Sequence, residues 1–327
     1  MRRRLEMRHE SWPVRGGFTI SRGTVTAVEL VVVGIMEDGI TGRGECRPYP
    51  RYGESVPQTL AMIEAVRERI EAGARREELL MLLPAGAARN ALDAALWDLE
   101  AKRTGLPAWR LAGLPEPEPL EVSYTLSLDT PERMAEAARA ASDRPILKLK
   151  LGGEGDVARV AAVRAAAPDA RLIVDANEAW TPDLYREAAP VLASLGVELI
   201  EQPFPADRDD WLDRLERPVP LCADESCHDA TSLERLAGRY DVVNLKLDKA
   251  GGLTEGLRTA MCAEELGLGL MVGCMVATSL AMAPAVLLAQ LARWCDLDGP
   301  LLLARDREPG LVYRDSMVLP PTPTLWG

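Results

Sequence analysis

The sequence predicts an α/β protein built on a parallel (β/α) barrel of eight strands, with a smaller α+β unit ahead of it. Two observations predict that fold. After residue 121, short apolar runs alternate with alanine-rich helical stretches at intervals of roughly 20 to 25 residues; the runs fall at 122–127, 146–151, 171–175, 197–201, 220–224, 242–246, 268–273 and 295–298. The unusual polar residues also gather at one end of these runs, which is where a (β/α) barrel places its site.

The elements follow in order. Residues 24–35 and 40–46 read as two strands around the turn Glu37-Asp38-Gly39, a hairpin signal. Residues 55–83 have helical periodicity, and Leu92, Ala95, Leu96 and Leu99 repeat at helical spacing until Gly105-Leu106-Pro107 ends the pattern. Residues 113–119 (GLPEPEP) hold three prolines, a stiff connection. The expected division is therefore a capping unit at 1–112, a barrel at 113–305 and a tail at 306–327 that returns to the cap.

Composition narrows the function. The chain has 327 residues, 47% of them hydrophobic, and 50 acidic against 38 basic residues give a net charge of −12. Such a field repels nucleic acid and anionic membrane surfaces. His9 and His228 are the two histidines, too few for a histidine metal cluster, so acid–base chemistry falls to Lys, Asp or Glu. The six cysteines form no C-x-x-C pair and read as reduced thiols. The basic start lacks an apolar segment after it, and no run approaches a membrane span. A soluble cytoplasmic protein is expected.

Asp175, Glu201 and Asp224 close the third, fourth and fifth runs, and neighbouring strands lie about 4.8 Å apart. At ~4 Å and an effective dielectric of about 20, each pair of carboxylates repels by roughly 4 kcal/mol. One such acid alone reads as a helix cap or a salt-bridge partner. Three on consecutive strands call for a cation, and oxygen ligands without His or Cys suit Mg²⁺. Lys148 and Lys150 share a face of the second strand, and Lys246 ends the sixth. Strands two and six stand opposite in a ring of eight, so Lys150 and Lys246 face each other, the arrangement that proton removal on one side and return on the other requires. A base at neutral pH needs its lysine shifted down to about 7–8, with Lys148 and the cation as the expected causes. Gly153-x-Gly155-x-x-Ala158, with Asp175 about twenty residues on, matches a dinucleotide fingerprint, but that reading leaves Lys148 and Lys150 as buried charges without partners.

Together, Lys148-Leu149-Lys150, Asp175-Ala176-Asn177, Glu201-Gln202-Pro203, Ala223-Asp224-Glu225-Ser226 and Asn244-Leu245-Lys246 resemble the muconate-lactonising subgroup of the enolase superfamily. Residues 44–54 (GECRPYPRYGE), 246–252 (KLDKAGG) and Asp296-Leu297-Asp298 narrow the resemblance to its dipeptide epimerases acting on L-Ala-D/L-Glu. The resemblance implies a modified TIM-type (β/α)7β barrel under an α+β cap. It implies one Mg²⁺ per subunit on Asp175, Glu201 and Asp224, bases at Lys150 and Lys246 with Lys148 in support, and two cap loops, 16–24 and 46–55, over the mouth. Arg22 matches the position that pairs with the substrate's side-chain carboxylate, and homo-oligomers are common among relatives.

On this basis the expected reaction inverts the α-carbon of a dipeptide's C-terminal residue by two-base 1,1-proton transfer through a metal-stabilised enediolate. Strand eight lies opposite strand four, so Asp296 and Asp298 suit the ammonium of such a substrate. Thr125, Met275 and Ser279, near strand ends, are candidates to line the pocket. Asn177 reads as a support to the metal site or as a helix cap, and His228 as a loop residue. The alternatives keep the fold and change the chemistry: cycloisomerase, o-succinylbenzoate synthase, N-succinylamino acid racemase, or a metal-binding protein without catalysis.

Overall fold

Three antiparallel strands open the chain: β1 (Arg4–Ile20), β2 (Gly23–Glu37) and β3 (Ile40–Cys46). The computed structural model describes residues 3–327. Strand β1 corrects the expectation of a loop over 16–24: the strand continues to Ile20, β2 begins at Gly23, and only Ser21 and Arg22 make the turn. The charges along 4–10 hid it. Its pairing with β2 runs from Arg4 opposite Met36 to Ile20 opposite Gly23, with an irregularity between Pro13 and Phe18.

Helices α1 (Val56–Ala65), α2 (Arg67–Glu71), α3 (Arg76–Leu82) and α4 (Ala87–Thr104) cover this sheet, and α5 (Ala108–Leu111) follows. Helix α4 is alanine-rich because β3 approaches it closely. A Cβ on Gly44 would stand 2.1 Å from the Ala91 carbonyl oxygen, and one on Gly42 would stand 2.2 Å from that of Ala95. These are backbone atoms that cannot step aside. Gly44→Ala is therefore expected to destabilise the fold by about 3 kcal/mol, read as a lower urea midpoint; an unchanged midpoint would show that β3 and α4 can separate at no cost.

The barrel is β5 (Tyr124–Leu126), β6 (Ile146–Lys150), β7 (Arg171–Asp175), β8 (Val197–Glu201), β9 (Leu221–Ala223), β10 (Val242–Leu245), β11 (Gly269–Gly273) and β12 (Trp294–Asp296), in that spatial order and all parallel. A bridge between Val122 and Cys295 closes the ring, with the Ser123 N–H donating to the Cys295 carbonyl at 2.9 Å. Alternation along the strands sorts the side chains. Leu147, Leu149, Leu172, Val174 and Ile200 point outward to the helices, while Ile146, Ile173, Leu199, Cys222, Val242, Met271 and Trp294 fill the interior as an apolar floor. The next inward positions above that floor are Lys148, Lys150, Asp175, Glu201 and Asn244.

Among the outer helices are α6 (Pro131–Ala140), α7 (Asp156–Ala166), α8 (Pro182–Ser194), α9 (Leu233–Leu236), α10 (Leu247–Ala250), α11 (Leu253–Glu265), α12 (Ser279–Ala289) and α13 (Gly299–Leu302). Thr130, Thr181 and Thr278 cap α6, α8 and α12 through their hydroxyls. Gly153 and Gly155 form no phosphate cradle: the N–H groups of Gly152 and Gly153 already donate to the Asp156 carboxylate, which also accepts from the Trp180 indole. No helix among the described residues is long and apolar enough to cross a membrane. All six cysteines are free, four of them buried.

The short strand β4 (Leu120–Glu121) pairs with tail strand β14 (Met317–Val318), itself paired with β13 (Tyr313–Arg314). The chain end then reaches the cap, where the Trp326 indole donates to the Ala94 carbonyl of α4 at 2.9 Å. Earlier in the tail, Arg307 joins Glu10 of β1, Glu45 of β3 and Thr278. Burial alone would raise the Glu10 carboxyl, but hydrogen bonds from Arg307, Arg8 and Trp12 hold it at about 2, below its ordinary 4.5. The folded protein thus binds this proton more weakly than the unfolded chain does. The stabilisation is complete above about pH 4.5 and is lost as pH falls toward 2. Between pH 5 and 2.5, Glu10→Gln is expected to lose stability less steeply than the parent, by urea midpoints; parallel slopes would show that Glu10 does not contribute.

Candidate active site

The strand register brings the acids and lysines to one level of the barrel mouth. Lys150 stands opposite Asp175, and Asp175 opposite Glu201. Asp224 follows β9 directly, and Lys246 follows β10. Ligand oxygens of Asp175, Glu201 and Asp224 lie within 4.8 Å of one another, and all three side chains are buried.

Each acid is held by named partners. Lys150 Nζ is 2.5 Å from Asp175 Oδ2, and Lys246 Nζ is 2.6 Å from Asp224 Oδ2. Lys148, fully buried beneath them, contacts Glu201 Oε2 and Asp296 Oδ2, both at 2.6 Å. Asn244 Nδ2 donates to Glu201 Oε1 at 2.8 Å, and the Asn177 N–H donates to Asp175 Oδ1 at 2.9 Å. Asn177 thus supports the acid cluster. Lys249 Nζ reaches Asp224 Oδ1 at 2.6 Å and the Asn244 carbonyl at 3.1 Å. No role was expected for Lys249; its only signal was its place in the 246–252 motif, three residues after a proposed base.

Charge and burial compete here. Burial would raise the Asp224 carboxyl, but Lys246 and Lys249 hold it well below the usual range; Asp175 is likewise lowered by Lys150 and Lys148. Burial, with Asp175 beside it, pushes Glu201 up to about 7. Burial pulls the Lys246 ammonium down, yet Asp224 and Glu201 outweigh it and hold the lysine above its ordinary value. The downward shift expected of Lys246 rests on a bound cation; without one, Asp224 and Glu201 dominate its surroundings.

The donor set fits a hard divalent cation. It is all oxygen, and buried acceptors remain without a hydrogen bond at Glu201 Oε2, Glu225 Oε2 and Asn177 Oδ1. Glu201 Oε2 has a close cation, Lys148, without hydrogen-bond geometry.

Arg22 reaches the mouth from the β1–β2 turn, pairing with Glu225 at 2.9 Å and Glu178 at 3.1 Å. Arg51 of the second cap loop also binds Glu178. The cavity between cap and barrel is lined by Arg22, Lys150, Asp224, Lys246, Asp296 and Asp298, with Phe18, Ile20, Tyr49, Tyr52, Thr125 and Met275. Ser279 instead turns to Asp306. His228 packs edge-on against the Tyr52 ring. The two acids of strand eight differ in their surroundings: Asp296 is held by Lys148 and the Ser123 hydroxyl, whereas Asp298 accepts the Thr125 N–H at 2.7 Å. Burial and the charge of Asp296 push Asp298 up to about 6.

A barrel whose mouth carries three facing acids, flanked by lysines under an antiparallel cap, defines a member of the enolase superfamily, and sequence comparison agrees. Residues 2–113 match the mandelate racemase/muconate lactonizing enzyme N-terminal domain, and residues 132–324 match the enolase C-terminal domain-like family. The chain belongs to that superfamily. It is 46% identical over 313 residues to the L-Ala-D/L-Glu epimerase of Escherichia coli, covering 95% of this chain and 98% of that one. It is 45% identical to an N-acetyl-D-glutamate racemase of Pseudoalteromonas, covering 91% and 95%. Among solved structures, an enolase family member from Agrobacterium tumefaciens with homology to dipeptide epimerases, holding sodium and L-Ala-L-Glu, superposes with a TM-score of 0.97 at 52% identity, over 99% of this chain and 100% of that one. A dipeptide epimerase from Enterococcus faecalis, complexed with Mg and L-Leu-L-Tyr, gives 0.89 at 30% identity, over 98% of both chains.

Proposed function

We propose that this protein is a dipeptide epimerase that inverts the α-carbon of the C-terminal residue, with L-Ala-D/L-Glu as the substrate class. The observation that carries the reading is the placement of Lys150 and Lys246 on strands four apart in the ring, facing each other across the acidic cluster. In this reading residues 1–112 and 306–327 cover the barrel at 113–305. Asp175, Glu201 and Asp224 would hold one Mg²⁺ per subunit. Once bound, that ion supplies positive charge that offsets the three carboxylates and stabilises charge developing on a substrate carboxylate.

The chain's own residues do the rest. One lysine, as the neutral amine, takes the α-proton and becomes an ammonium. The electron pair left behind spreads onto the substrate's carboxylate. The facing lysine, starting as an ammonium, delivers a proton to the opposite side and ends as the amine. Lys148 lies below both bases and holds Glu201 and Asp296 in place. Arg22 pairs with the substrate's side-chain carboxylate in exchange for Glu225 and Glu178. Asp298, with Asp296 behind it and Thr125 fixing its carboxylate, accepts the substrate's ammonium.

Proton NMR of L-Ala-L-Glu in D₂O with Mg²⁺ tests this: the α-proton signal of Glu should disappear as the L,D epimer grows. The racemase relative at 45% identity favours a second reading, an N-acylglutamate racemase. Asp298→Asn separates the two. Losing a charged hydrogen bond to an ammonium should raise KM for the dipeptide about tenfold or more and leave N-acetylglutamate unaffected. Exchange with N-acylglutamate and none with any dipeptide would sink the first reading.

A further inference from the structure

We infer that helix α4 of the cap is the mount of Lys246, with Asn90 and Asp248 as positioning residues for that base. The inference rests on the two-base reading above. Lys246 is followed by a single helical turn, α10, and then by Gly251 and Gly252, both with positive φ. On its barrel side this turn is tied down by Lys249, through Asp224 and the Asn244 carbonyl.

On its other side the cap takes hold. Asn90 Nδ2 donates to Asp248 Oδ1 at 2.8 Å, and the same oxygen accepts the Arg47 N–H, from the loop at 46–55, at 3.2 Å. Arg89 donates to the carbonyls of Ala250 at 2.6 Å and Gly251 at 3.1 Å. Asp93 accepts the Thr254 N–H at 3.1 Å and its O–H at 2.5 Å. The approach is at its steric limit, since a Cβ on Gly251 would stand 2.4 Å from Arg89 Nε.

The turn after Lys150 has no such tie. Its Gly152 and Gly153 N–H groups go to Asp156, and the Leu151 N–H goes to the Asp175 carbonyl. Among the described residues, the hydrogen bonds of 151–156 stay within the barrel. Helix α4 therefore grips the support of Lys246 and not the turn after Lys150, toward which the cap reaches only from its β1–β2 turn, through Ser21 and Arg22 to the Asn177 carbonyl. A displacement of α4 is passed to Lys246 and leaves Lys150 where it is.

The asymmetry gives a readout that general destabilisation does not move. A lysine ammonium carries three exchangeable hydrogens, so after abstraction in D₂O it can return a deuteron to the same face, exchanging the α-proton without inversion. Each epimer's exchange thus reports the lysine it faces. Initial exchange rates of L-Ala-L-Glu and L-Ala-D-Glu are measured for the parent, Asn90→Ala, Asp248→Ala and Asp248→Asn, with melting temperatures alongside. The two alanine variants are expected to lower exchange of one epimer about tenfold or more relative to the other. It should be the epimer whose exchange Lys246→Ala abolishes. Asp248→Asn keeps an oxygen that accepts both N–H groups, so it should retain the parent ratio, and Asn90→Ala remains informative if Asp248→Ala does not fold. Equal losses for both epimers, or an unchanged ratio in Asn90→Ala, overturn the inference. Parent protein that exchanges neither epimer overturns the dipeptide reading itself, which is a different failure.

Discussion

Lys150→Ala and Lys246→Ala are each expected to lower epimerisation by about 10²–10⁴-fold, and to do so with opposite signatures. Inversion needs both lysines, so net conversion falls in both directions for either variant. Exchange without inversion needs only the lysine that faces the α-proton. Each variant should therefore exchange one epimer near the parent rate and leave the other untouched, and the two variants should exchange opposite epimers. Both lysines are buried and paired with a carboxylate, Lys150 with Asp175 and Lys246 with Asp224. Truncation consequently leaves an acid with one cation fewer, and fold and Mg²⁺ affinity have to be measured beside turnover. If both variants exchange the same epimer, the facing-base arrangement is wrong.

Glu201→Gln is expected to abolish the stabilisation that Mg²⁺ confers. Protein binding an ion at a hundredfold excess over Kd gains about 2.7 kcal/mol, visible as a higher melting temperature. Glu201 is the middle one of the three buried acids proposed to hold the ion, and burial with Asp175 beside it pushes its carboxyl up to about 7. The variant takes one carboxylate from the buried Lys148, so its metal-free stability is measured beside the parent's. The parent should gain stability with added Mg²⁺ while Glu201→Gln does not, as calorimetric titration should also show. Equal gains in the two proteins would place the ion elsewhere.

The barrel and its acidic cluster were legible because period-2 strands and their polar last residues are written in adjacent positions. Lys150, Asp175 and Glu201 end their strands as the alternation predicts. Strand β1 was hard to read because, although Arg4-Leu5-Glu6-Met7-Arg8 alternates charged with apolar residues, only Leu5 and Val14 of its 17 residues are buried and the alternation breaks at His9. Lys249 and Glu225 were hidden for a different reason. Each sits beside a residue already given a role, and only the turn of α10 or the reach of Arg22 reveals what the neighbour touches. Asp296 showed the limit of ring geometry. Its strand was placed opposite the cation site, but the sequence did not reveal that Lys148 crosses the interior to meet it at 2.6 Å. The direction of the Lys246 shift depends on the same long-range balance of charges, which spacing along the chain does not encode.

The Gly251–Arg89 and Gly252–Asp93 approaches also bear on how this enzyme can be rebuilt. Grafting the cap of one family member onto the barrel of another would have to preserve this seam. Here the seam runs through van der Waals contact, and a Cβ on Gly252 would meet the Asp93 carboxylate at 2.4 Å. A donor cap with a larger residue at 93, or a recipient barrel without the paired glycines, would split the seam and remove the support beside Lys246. Residues 87–104 and 247–254 form one transplantable block, and a chimera that divides them is expected to bind its new substrate without turning it over.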